Sequence, residues 1–398
     1  MAFREPDRVP VDLGGTNSSG ISAAAYDGLR RHLGLSGGGV LVHDVAQMLA
    51  TVEAPVRERL GIDVVGLPNW EAGWGEHWNV FNGGEYKSWT IPGGPEVSVP
   101  AGLKAETAPD GTTLLIGKGG PVARMPAGGH YFDPLPGSPD EVVPEPEDFS
   151  LPDNLPQEAF EYYRRAAAGL YNETDCAVLG AALGYGLFNL AAGGFENWLC
   201  AILESPDKVG AILDRAVECN IPVIEMYNQA AGEYVEAVMF ADDLGTQHAE
   251  WLSPDVFDEV FAPRYKRLFG WIHEHTDLKV FFHCCGSIPN LIETLIDCGV
   301  DILNPVQTSA TGMDPAWLKE RFGGRVVFWG GGVDTQRVLP LGSLEEIETQ
   351  VVERIKIFAP GGGFVFNPVH NIQPGISPER ILACFETVRN TGAYPVAP

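Results

Sequence analysis

The stretch FFHCCGS, residues 281–287, puts a histidine and two cysteines at the end of an apolar run. In an extended chain alternate side chains share a face, so His283 and Cys285 point together and Cys284 points the other way. Imidazole and thiolate on one face make two sides of a metal site, and that donor pair favours zinc. A catalytic zinc takes three protein ligands and keeps a fourth position open. His370, in FVFNPVHNIQPG, follows a later apolar run and supplies the third ligand if both runs end on one side of a sheet. The bland alternative for an isolated His-x-Cys is a core cysteine beside a hydrogen-bonded histidine.

Two more stretches carry groups that do chemistry. MFADDLGTQ closes an apolar run on Asp242 and Asp243, whose side chains face opposite ways. Both are candidate catalytic carboxylates, one for positioning or proton transfer at the site and the other for a cap or a structural bond. RVPVDLGGTNSSG begins as the phosphate-binding hairpin of actin-like sugar kinases does, and DLGT at 243–246 supplies a second such match. Short matches of this kind are weak. Ile21, Ala25, Leu29 and Leu33 then stand four apart, which is a helix face where the kinase hairpin needs a strand. Gly14 and Gly15 therefore read as a tight turn before a helix. In NWEAGWGEHW, Trp70, Trp74 and Trp78 recur at helical spacing around Glu71 and Glu76, a pattern more often packing than a substrate wall.

The elements that must position these residues are regular in the second half. VEAVMFADD, KVFFHCC, VDILNPV, RVVFWGG and GGFVFNP read as strands that alternate with amphipathic helices opening on Ser or Asp, a residue suited to cap them. Three of the helices end at a glycine suited to a left-handed cap. Five strand–helix units, with IDVVGL and DCAVLGAAL upstream, predict parallel strands with right-handed crossovers and approach the eight of a closed (β/α)8 TIM barrel. Such barrels build their sites at the C-terminal rim, where His283, Cys285, His370 and the aspartates would all lie. The whole chain, 1–398, then reads as a single barrel domain with a β-hairpin-rich N-terminal insertion at about 78–133. Residues 134–156, rich in proline and acid, read as an extended connection.

Acidic residues outnumber basic ones 53 to 26, a formal charge of -27 that repels nucleic acid and anionic lipid surfaces alike. The first residues show no apolar signal segment and no run is long enough to span a bilayer, so a cytoplasmic protein is expected. Seven scattered cysteines do not suggest a disulfide framework.

REPDRVPVDLGG, LGIDVVGL, FADDLGTQ, FFHCCGSIPNLIETLIDCGVDILNPVQ, VVFWGGGVDTQRVLPLGSLEEIE and GGGFVFNPVHNIQPGISPE together resemble the uroporphyrinogen decarboxylase superfamily, over nearly the whole chain. Within it the sequence is more similar to the cobalamin-dependent methyltransferases than to the decarboxylases. That branch implies zinc held by an HxC pair and a later ligand, usually cysteine. Carried over, His283 and Cys285 match the pair, and His370 stands where the later ligand is expected. The decarboxylases' arginine-rich RQAGR motif is missing, and only Arg4 and Arg8 stand nearby. The resemblance implies methyl transfer between a small methylated compound or thiol and a cobalamin. No DxHxxG motif is present to hold a corrinoid, so a separate corrinoid protein is the expected partner. Trp74, Asn304 and Gln307 are the candidate substrate-binding residues. The alternatives are a uroporphyrinogen decarboxylase-like lyase and a metal-free, non-catalytic member of the fold.

Overall fold

The computed structural model describes residues 3–70, 85–135, 142–183 and 186–396. Its centre is a set of short parallel strands: β1 (Val64–Gly66), β2 (Ala177–Leu179), β3 (Ala237–Ala241), β4 (Lys279–His283), β5 (Ile302–Asn304), β6 (Val327–Trp329) and β7 (Phe364–Val365). β1 pairs with β2, and β3 to β7 pair in sequence order, all parallel. Backbone bonds continue this ladder beyond the named strands. Gly180 N–H donates to Ala237 C=O and Glu236 N–H to Val178 C=O, which ties β2 to β3. Val11 makes a parallel bridge with Phe366 just after β7, and its carbonyl accepts from Asp63 N–H just before β1.

The strands read as nearly unbroken apolar runs because both of their faces are buried. One face, including Val64, Leu179, Met239, Phe281, Ile302 and Trp329, forms a cluster of its own. The other, with Phe240, Phe282 and Phe328, packs on the helices. Those helices follow the expected order, with Ser253, Asp314 and Ser343 capping the backbone of Val256, Trp317 and Glu346. Some expected ends differ. Ser287 caps no helix but donates to Thr311 C=O, and Ser377 makes no side-chain cap. Gly299 takes the left-handed conformation at φ 110°, whereas Gly323 and Gly392 sit at negative φ. The chain over 253–275 folds as two helices, Pro254–Val260 and Ala262–His275, divided at Phe261, with Pro263 in the first turn of the second.

Antiparallel strands occupy the region read as hairpins. Tyr86–Thr90 pairs with Glu96–Pro100, and Ala105–Thr107, Thr113–Gly117, Gly120–Met125 and Asp133–Pro134 form a four-stranded sheet. Between Val142 and the helix Gln157–Glu173 the chain holds one 3-10 turn, Pro146–Asp148. Trp74, with Trp78, Glu71 and Glu76, lies outside the described residues. Among the described residues no helix is long and apolar enough to cross a membrane.

The DLGG segment is a buried turn. Asp12 is fully buried, its Oδ1 accepts from Gly15 N–H at 2.8 Å, and Gly14 takes φ 93°. A Cβ on Gly66, at the end of β1, would meet Gly15 C=O at 2.4 Å, so the turn and the strand end need glycine to approach. The helix Ala23–His32 follows.

Candidate metal centre

The register of the sheet determines what meets at the end of β4. His283 is paired with Ala241 on one side and with Asn304 on the other. Asn304 Nδ2 donates to Trp329 C=O at 2.9 Å, so its Oδ1 is the atom turned to His283 Nδ1, at 2.6 Å. An amide oxygen only accepts, so the His283 proton sits on Nδ1 and Nε2 keeps its lone pair. Ser18, from the turn after Asp12, adds a second hydrogen bond to the same oxygen at 3.1 Å. Asn304 is fully buried and has spent both ends of its amide. It orients the histidine, with Oδ1 taken up by His283 and Ser18 and one Nδ2 hydrogen by Trp329 C=O.

His283 Nε2 faces Cys285 Sγ at 3.4 Å. His370 comes in from the loop after β7, its ring centre 5.7 Å from that of His283 and inclined at 72°. The ligand atoms of His283, Cys285 and His370 all lie within 4.8 Å of one another. Donor atoms in a tetrahedral zinc site with bonds near 2.0–2.3 Å stand roughly 3.3–3.8 Å apart. The His283–Cys285 spacing already meets this, and His370 has to close by about 1 Å. Cys284 is buried on the opposite side, its Sγ accepting from Leu244 N–H at 3.3 Å.

Burial sets the protonation of this cluster. It pushes the Cys285 thiol well above its ordinary range, with the Asp243 carboxylate adding to the effect. It also presses His370 down to about 4, helped by neighbouring His283 and opposed by Asp243. Without a cation the pocket therefore favours neutral ligands, and a bound metal reverses this for the thiol.

The two aspartates part as their alternation requires. Asp243 is half-exposed, with Oδ1 4.0 Å from His283 Nε2 and accepting from Cys285 N–H at 2.9 Å. Asp242 is fully buried and turned away from the cluster. It accepts from Leu187 N–H, Asn189 N–H and the Tyr265 hydroxyl at 2.8, 2.6 and 2.7 Å. Burial raises its pKa to about 6 against the pull of those donors. Of the pair, only Asp243 faces the candidate ligands.

Gln307 supports the loop that carries Cys285. Its Oε1 accepts from Gly286 N–H at 2.8 Å and its Nε2 donates to Gln247 at 2.9 Å, which ties this amide to the loops around Cys285. Gly286 has φ 93°, and a Cβ there would meet Gly245 C=O at 2.4 Å, which locks the loops after β3 and β4 together. Arg8 makes a two-pronged ion pair with Asp63 at 2.7 and 2.5 Å. Ser18 was not singled out by type or spacing. Its partner lies 286 residues away, and no local pattern carries that.

Residues 133–391 match the family model described as uroporphyrinogen decarboxylase (URO-D). A uroporphyrinogen decarboxylase of Thioalkalivibrio sulfidiphilus is 29% identical over 167 residues, which are 41% of this chain and 43% of that protein. The match thus spans less than half the length of the curated relative. A solved methyltransferase from Methanosarcina mazei superposes over 97% of this chain and 94% of its own, with a TM-score of 0.54 and 16% identity, which shows a common fold.

Proposed function

The chain belongs to the uroporphyrinogen decarboxylase family, and on that premise we propose that it is a zinc-dependent methyltransferase working with a corrinoid protein. It moves a methyl group between a small methylated compound or thiol and a cobalamin carried on that separate partner. The observation that carries this reading is the convergence of His283, Cys285 and His370 within 4.8 Å, with the His283 tautomer held ready by Asn304. We read the parallel strands as a (β/α)8 barrel in a single domain, with the antiparallel strands before residue 135 as an insertion. The backbone bonds of Val11 to Phe366 and to Asp63 support closure, because they supply an eighth member between β7 and β1.

His283, Cys285 and His370 would hold the metal, and two nitrogens with one sulfur suit zinc. Zinc at such a site supplies a Lewis acid and keeps a bound thiol as thiolate near neutral pH. The protein's residues do the rest. Asn304 and Ser18 hold the His283 ring so that Nε2 faces inward. Asp243, on the open side, is placed to accept a proton from an incoming thiol or to fix a substrate donor. Gln307 and Gly286 hold the Cys285 loop against the loop after β3.

The test has two stages. Elemental analysis of the purified protein should find about one zinc per chain. With reduced cobalamin and a panel of methyl donors, cob(I)alamin absorbance should fall as methylcobalamin forms, and methylcobalamin with a thiol should run the reverse. Loss of the signal on zinc chelation is expected. Carbon dioxide release from uroporphyrinogen, with no cobalamin signal across the panel, would overturn the reading in favour of the decarboxylase that the curated relative's name suggests.

A further inference from the structure

At the edge of the metal cluster stands a fourth group that can bind a cation. The Asp243 carboxylate, two residues past the end of β3, holds its Oδ1 4.0 Å from His283 Nε2. Nitrogen and oxygen ligands of one tetrahedral zinc stand about 3.3 Å apart, so on the His283 side the carboxylate has to close by about 0.7 Å. Little restrains it. Its Oδ1 accepts one hydrogen bond, from Cys285 N–H at 2.9 Å, and its Oδ2 accepts none among the described residues. The backbone beneath is fixed by a bond from Asp243 N–H to Asn189 Oδ1. The donor that steers the carboxylate thus belongs to a candidate ligand, and ligating carboxylates are commonly held by such outer bonds.

The donor set gives this group a reason to bind. Two neutral imidazoles and one thiolate leave a divalent cation with one positive charge uncompensated. Burial already works against charge here, for it raises the Cys285 thiol and lowers His370. An unpaired charge in such surroundings is costly. Asp243 is the carboxylate that acts on both Cys285 and His370, whereas Asp242 is fully buried and bonded to Leu187, Asn189 and Tyr265.

We infer that Asp243 is the fourth ligand of this site when no substrate is present, and the ligand that yields its place to an entering thiol. This rests on the zinc reading above and adds to it the group that fills the open position between turnovers. The Asp243 side chain is 52% exposed against 9% for His283, and His283 is braced by Asn304 and the Cys285 loop by Gln307. Asp243 is therefore the ligand free to leave. As a thiol enters, its S–H bond breaks, the sulfur takes the vacated position, and the proton passes to the freed carboxylate, from which solvent removes it.

Asp243→Asn tests this, because it keeps an acceptor for Cys285 N–H and removes the anionic oxygen. Its zinc affinity, read by competition with a chromophoric chelator, should fall about tenfold or more, since losing even an outer partner of a ligand costs about 10–100-fold. At saturating metal it should still hold about one zinc per chain. The second readout is the visible spectrum of each protein loaded with Co(II) in place of zinc, under anaerobic conditions. Before thiol the two spectra should differ. After saturation with 2-mercaptoethanol they should coincide, with less thiol needed in Asp243→Asn, where no carboxylate has to be displaced. Equal zinc affinities, or identical Co(II) spectra before thiol, overturn the ligand role and leave the zinc reading standing. A spectrum of the unaltered protein that 2-mercaptoethanol does not change overturns the displacement. Failure of the unaltered protein to take up either metal overturns the zinc reading, and this inference with it.

Discussion

Replacing Asn304 with leucine tests whether a buried amide prepares the histidine for metal. The change keeps the branched shape, with bulkier methyl ends, and removes three hydrogen bonds, from His283 Nδ1 at 2.6 Å, from Ser18 Oγ at 3.1 Å and to Trp329 C=O at 2.9 Å. Two effects follow and they are separable. The Trp329 carbonyl and the His283 N–H lose their partners in the interior, at about 1–3 kcal/mol each, while Ser18 keeps Thr16 as a neighbour at 3.0 Å. The His283 ring also loses the acceptor that fixes its tautomer. Removing an outer partner of a metal-bound histidine costs about 10–100-fold in metal affinity, or about 1.4–2.7 kcal/mol. Zinc affinity is read by competition with a chromophoric chelator, and stability by urea melts of chelated protein. Gln307→Leu is the control, because it loosens the Gly286 loop without touching the ring and should cost less affinity. An Asn304→Leu protein that is destabilised but binds zinc as tightly as the unaltered chain would refute the reasoning, for the amide would then be only a packing element.

Three further outcomes follow from the same geometry. Cys285→Ser should strip the metal while Cys284→Ser keeps it, as elemental analysis would show, because the Cys284 sulfur is turned to Leu244 N–H; equal loss from both would remove the strand alternation from the argument. Asp243→Asn should keep zinc and lower turnover in the cobalamin assay, whereas Asp242→Asn, which leaves one of two backbone N–H groups facing a donor, should cost about 1–3 kcal/mol in urea melts. Asp12, raised to about 6 by burial against its bonds from Trp329 and Gly15, gives a pH signature. Its folded pKa lies above the unfolded value of 3.8, so its contribution is full below pH 3.8 and is lost as pH rises through about 6. The stability of Asp12→Asn relative to the unaltered chain should therefore improve by about 2 kcal/mol between pH 4 and pH 7, and a flat difference would contradict the burial assigned to Asp12.

What the sequence made legible was what depends on periodicity. Runs such as VFFH and VVFW are short and rich in β-branched and aromatic residues, which suits strands buried on both faces, and the caps at Ser253, Asp314 and Ser343 mark where the chain turns into helices. Alternation placed His283 beside Cys285 and sent Cys284 the other way, because it needs only two neighbouring residues in an extended chain. It also divided Asp242 from Asp243, but the choice of which faces the cluster depends on Tyr265 and on the backbone at 187–189, which come from other elements. Asn304 and Gln307 show the limit most clearly. As side chains at a strand end they are equally suited to a substrate or to the scaffold, and what decides is the acceptor on Trp329 and the donor on Gly286. In the folded chain each amide bonds the protein at both of its ends, which gives it a part in holding the site's loops. Ser18 lies at the same limit from the other side: nothing in its type or spacing marks it, and its bond to Asn304 spans 286 residues, so only the closed fold brings the turn after Asp12 to the histidine it helps to hold.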